Sequence, residues 1–127
     1  MPNFNLKIHQ IVMRGSLADL QKAIDIGLNV NMQNVYGETP LMLAAHTGNF
    51  KAFKLLYRSG GLCAVSKGRT ILHHAALGGS KSICQYLVSA GHPADIQDEG
   101  GKTPADVAHY NGYFDLAEWF ATPRKVA

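Results

Sequence analysis

Apolar residues recur along this chain in short blocks of helical period, all but the last closed by glycine and the last by Pro123. Leu41, Ala44 and Ala45 fall on one side of a 3.6-residue wheel and predict a helix over 40–47. The block after it, with Phe50, Phe53, Leu55, Leu56 and Tyr57, predicts a second helix over 50–59. The same pairing of a small-faced helix with a bulkier one is expected at 5–13 and 17–26, at 71–78 and 81–90, and from Pro104 with a partner at 113–120. In the 17–26 helix, Leu17, Leu20, Ala23 and Ile24 are expected to point inward. In the last helix, Trp119 and Phe120 either fold back on Leu116 or face a further repeat.

The boundaries repeat with the blocks. Thr39 is placed to cap a helix, Pro40 sits where its missing N–H costs nothing, and Gly48 suits a left-handed stop. Gly37-Glu38-Thr39-Pro40-Leu41-Met42-Leu43-Ala44-Ala45-His46-Thr47-Gly48 returns as Gly68 to Gly79, with Thr70-Ile71-Leu72-His73, and as Gly101 to Gly112, with Thr103-Pro104-Ala105-Asp106. A worn copy runs from Leu6 through Ile8-His9 to Gly15. The closing glycines at 15, 48, 79 and 112 are spaced 33, 31 and 33 residues apart. A period near 33 with a Thr-Pro-Leu-His-like opening resembles the ankyrin repeat.

That resemblance implies an all-α solenoid of helix-turn-helix repeats with short β-hairpin fingers. It covers the 127-residue chain as one domain, with repeats at about 4–33, 34–64, 65–97 and 98–122. The links Gly27–Gly37 and Gly91–Gly101 are ten residues long, but Gly60–Gly68 is eight. The finger between repeats two and three is therefore expected to be short or misshapen around Cys63, with Val65 where the others carry Asn34 and Asp98.

Composition narrows the function. The net charge of +3 is well short of what nucleic-acid binding needs, and no apolar run approaches a membrane span. The first residues hold no signal-peptide core. Of the two cysteines, Cys84 lies in an apolar helical block and reads as a buried hydrophobe, and Cys63 lies in a loop. This predicts an intracellular, cytoplasmic chain, with the nucleus as the second compartment. Nucleophile elbows and His-Glu-x-x-His are missing, so the chain is expected not to be an enzyme and to use no cofactor. The Asp95, Asp98 and Glu99 cluster lacks calcium-loop spacing.

Six histidines call for separate readings. In the family, His at the places of His9 and His73 ties neighbouring turns together. His73 and His74 are adjacent on a helix and diverge by roughly 100°, so they do not converge on one metal. His109 stands in for the second alanine of the pair and reads as a packing compromise, and His92 is a loop residue without a role. His46 lies two places before Gly48, on the side that the family leaves concave and open.

The family grips partners through finger residues and the end of each first helix. This implies contacts at Arg14 from repeat one and at Tyr36, Glu38 and His46 from repeat two. Repeat three offers Lys67, Arg69 and Leu77, and repeat four offers Lys102 and Tyr110. Arg14, Lys67, Arg69 and Lys102 outnumber Glu38 and Glu99, four against two. The expected function is therefore non-catalytic binding of a protein by a monomeric scaffold or adaptor, through a basic concave face that takes an acidic, partly apolar segment. Nucleic acid and membrane are not expected partners. The alternative is a targeting or regulatory segment of a larger enzyme or effector.

Overall fold

The computed structural model describes residues 4–61 and 68–122, with side chains from Ile8 onward. Lys67, Cys63 and the shortened finger around Val65 lie outside the described residues. Eight helices are seen among the described residues: α1 (Phe4–Arg14), α2 (Leu17–Asp25), α3 (Pro40–Thr47), α4 (Phe50–Arg58), α5 (Ile71–Leu77), α6 (Lys81–Ser89), α7 (Pro104–Tyr110) and α8 (Phe114–Ala121). They form an all-α stack of helix pairs, as the resemblance implies.

Six of these helices start on a side-chain cap: Ser16, Thr39, Asn49, Thr70, Ser80 and Thr103 each accept the backbone N–H three residues on. Pro40 and Pro104 occupy the first turn of their helices. Such caps matter because helices this short are not stable alone. Each helix instead gains its stability from packing. The helices pair in sequence, α1 with α2 through α7 with α8, and the pairs stack. First helices meet first helices, α1 on α3, α3 on α5 and α5 on α7, while α2 meets α4 and α4 meets α6.

The small-faced first helices set the close spacing. Leu41, Ala44, Ala45, Leu72, Ala75, Ala76 and Ala108 are fully buried. At Gly78, a Cβ would run into the His46 carbonyl, so the end of α5 sits directly on the end of α3. Phe53, Leu56, Ile83, Cys84 and Leu87 fill the space between first and second helices. Burial pushes the Cys84 thiol up to about 12, which makes it an inert hydrophobe at neutral pH. Trp119 and Phe120 are half-buried against this core beside Leu116.

Two expectations are corrected. Leu17 does not point inward: at the first turn of α2 it is 40% exposed, and Leu20 and Ala23 carry the burial. His109 is not packed in place of an alanine. It is exposed, with its ring against Phe114 at 5.1 Å. The fingers also take a specific form. Around Asn34–Glu38 and Asp98–Lys102, the described residues show a hydrogen-bonded turn rather than paired strands.

Candidate functional site

Each of the two described fingers is built by one side chain. Asn34 Oδ1 accepts the N–H groups of Tyr36 (2.9 Å) and Glu38 (3.0 Å), and its backbone N–H donates to the Glu38 carbonyl at 3.0 Å. Asp98 does the same: Oδ1 accepts from Gly100 (2.9 Å) and Lys102 (3.0 Å), and the Asp98 N–H donates to the Lys102 carbonyl at 2.9 Å. The Lys102 amide, helped by the Gly100 amide and the Arg69 guanidinium, holds the Asp98 carboxyl below the usual carboxylate range. Side-chain oxygens at these places do the work of a backbone turn and leave the residues between them to face outward.

Histidines then fasten each of these two fingers to the repeat before it. His9 Nε2 donates to the Glu38 carbonyl at 2.9 Å, and His73 Nε2 donates to the Lys102 carbonyl at 2.8 Å. His73 Nδ1 accepts the Thr70 N–H at 3.0 Å and so also closes the start of α5. In repeat one Leu6 stands in place of the threonine, and among the described residues His9 Nδ1 is buried without a partner. At the equivalent place in repeat two stands Met42, which has no ring nitrogen to donate. In repeat four it is Asp106, which accepts the Thr103 N–H at 3.0 Å and caps its own helix.

On this frame, the fingers and the ends of the first helices make one face. Tyr36 (82%) and Tyr110 (72%) are the exposed aromatics on it, and Arg14 is also exposed. Glu38, His46, Arg69, Leu77 and Lys102 are half-buried. The structure brings several together. Glu38 Oε2 lies 3.9 Å from His46 Nδ1, and Oε1 accepts from Asn34 Nδ2 at 3.0 Å. Arg69 Nε lies 3.5 Å from Asp98 Oδ2 of the next finger, where a Cβ on Gly68 would meet the Glu99 amide at 2.9 Å. The Lys102 ammonium sits 3.6 Å over the Tyr110 ring. Arg14, Tyr36 and Glu38 line an open groove of about 560 Å³ with His9, Gln10, Met13, Asn34 and Leu43. Leu77 makes no polar contact with the others and offers apolar surface.

Three residues escaped the sequence reading. His74 packs edge-on to His46, with ring centroids 5.7 Å apart, and both its nitrogens are buried without hydrogen bonds. Burial, with repulsion from His46 and then Arg69, pushes its pKa down to about 4. A signal existed: the matching positions of the two adjoining repeats are Leu43 and Val107, although repeat one carries Gln10 there. Met13, 59% exposed, occupies the register of His46, Leu77 and Tyr110. His92 lies 3.1 Å from the Tyr57 hydroxyl and links the last finger back to α4. Among the described residues, no cluster of three or more His, Cys, Asp or Glu could hold a metal. No described helix is long and apolar enough to cross a membrane.

The repeated fastening of fingers to helices defines a class, and comparison with known proteins agrees with it. The family described as Ankyrin repeats (3 copies) matches over residues 8–93 and again over 59–125. The chain belongs to the ankyrin-repeat family. It is similar to a transient receptor potential cation channel subfamily A member 1 homolog of Caenorhabditis elegans, 32% identical over 117 residues, which cover 91% of this chain and 10% of that protein. It is also similar to diacylglycerol kinase iota of Rattus norvegicus, 32% identical over 117 residues, covering 88% of this chain and 11% of that one. Palmitoyltransferase ZDHHC13 of Homo sapiens is 41% identical over 86 residues, covering 65% of this chain and 14% of that one. The chain thus spans about a tenth of the length of the first two relatives.

Proposed function

We propose that this chain is a non-catalytic protein-binding module that grips its partner with the fingers and the ends of the first helices. The observation behind this reading is a division of labour. Asn34, Asp98, His9 and His73 hold the fingers in place, while Tyr36 and Tyr110 stand 82% and 72% exposed, Tyr110 with the Lys102 ammonium over its ring. A preordered surface loses little entropy on binding, and tyrosine is a residue type enriched at interface hot spots. The contact set is Arg14, Tyr36, Glu38, His46, Lys67, Arg69, Leu77, Lys102 and Tyr110. The partner is a protein segment with acidic and apolar character, and the module acts as a monomer inside the cell. The low coverage of the relatives favours a second form of the same reading, in which such a module serves within a larger protein.

The test is capture of proteins from a native lysate, quantified for the wild type, a Tyr36→Ala/Tyr110→Ala variant and a Lys22→Ala/Lys54→Ala variant of the second helices. The tyrosine variant should lose the captured protein and the lysine variant should retain it. Equal losses would place binding elsewhere.

A further inference from the structure

Of the three described cations on the face, Arg14, Arg69 and Lys102, the fold already occupies two. Arg69 is held by Asp98 at 3.5 Å, and Lys102 lies over Tyr110 at 3.6 Å. Arg14 differs. It is exposed at the end of α1, and no described carboxylate comes within ion-pair distance of it. Asp19 shares the hollow on its other side but does not pair with it. Arg14 lines the groove of about 560 Å³ between α1 and the first finger. The apolar lining is Met13, 59% exposed, with Leu43 and the Tyr36 ring. Glu38 also lines it, its carboxylate engaged by Asn34 at 3.0 Å and close to His46. The groove therefore has a free positive charge at Arg14, a negative charge at Glu38, and apolar surface between α1 and the finger.

We propose that this groove seats an extended peptide segment of a partner protein, with a large apolar side chain over Met13 and Leu43 against Tyr36, and a neighbouring carboxylate on Arg14. The proposal rests on the protein-binding reading above and makes Arg14 its charged anchor. A guanidinium presents paired donors that match a carboxylate fork, which sets the direction in which the segment lies. Glu38 disfavours a second carboxylate at its own end.

A random dodecapeptide library displayed on phage, selected on the intact chain, supplies the probe. Enriched sequences should share an acidic residue next to Leu, Met, Phe or Tyr. The enriched peptide, labelled and followed by fluorescence anisotropy, should bind Arg14→Glu at least tenfold more weakly than wild type and Met13→Ala about threefold more weakly. Lys54→Glu, on the second helix α4, should leave affinity unchanged. Changing the peptide's carboxylate to its amide should weaken binding to wild type but not to Arg14→Gln. Thermal melts should show Arg14→Glu folded, since the side chain is exposed. Selection of no peptide, of peptides without the acidic–apolar pair, or of a peptide whose carboxylate does not couple to Arg14 overturns the groove. If Arg69 or Tyr110 changes abolish binding while Arg14 and Met13 changes do not, the groove falls and the protein-binding face stands. If only Lys22 or Lys54 changes matter, both fall.

Discussion

His74 carries two buried ring nitrogens with no hydrogen-bond partner, a cost that the neighbouring repeats avoid with Leu43 and Val107. His74→Leu should therefore raise stability at neutral pH by about 1 kcal/mol. The same residue makes stability depend on pH. Its pKa falls from 6.5 to about 4 on folding, so between those values the unfolded chain binds more protons and stability rises with pH. The contribution is complete above about pH 6.5 and is lost as pH falls toward 4. Its ceiling is about 3 kcal/mol, from 1.36 kcal/mol per unit. Urea titrations across this window should show the slope in wild type and a flatter one in His74→Leu; equal slopes would remove His74 as the cause. His73 is the opposite case, with both nitrogens engaged and the ring 1% exposed. His73→Ala should cost about 1–3 kcal/mol, because the Lys102 carbonyl and the start of α5 both lose a partner.

At the scale of elements, the first helices act as spacers whose small faces set how closely the pairs stack. Leu41→Ala in α3 should cost about 2–5 kcal/mol as a fully buried truncation. Gly78→Ala should cost about 1–3 kcal/mol for the opposite reason, since the added methyl group pushes α5 off the His46 carbonyl. Denaturant melts of both variants check this, and a neutral Gly78→Ala would mean the helix ends are not in contact. Most of this was legible in the sequence. Caps, first-turn prolines, alanine pairs and closing glycines are local signals, and the helices begin where those signals stand. Leu17 was misread because a first-turn residue lies at the edge of the wheel, where periodicity does not decide burial. The candidate contacts were legible by register, since the repeat fixes which positions face outward. Their pairings were not. Arg69 meets Asp98 across two fingers, and Lys102 meets Tyr110 across a finger and a helix end, so a count of charges along the chain overstated the free positive charge.

For the whole molecule, stacking makes stability a sum over neighbouring interfaces and leaves one face free to vary. Two of the interfaces carry a histidine bridge to the following finger, from His9 to Glu38 and from His73 to Lys102, while Met42 stands at the matching place between them. The fingers and first helices form a surface whose frame is fixed by buried contacts, and this is the surface proposed to meet a partner. Hydrogen exchange of the intact chain, with and without its captured partner protein, tests that claim most directly. The account predicts slowed exchange at residues 9–14, 34–38 and 98–102, with α2, α4 and α6 unchanged. Protection confined to α2, α4 and α6 would contradict it.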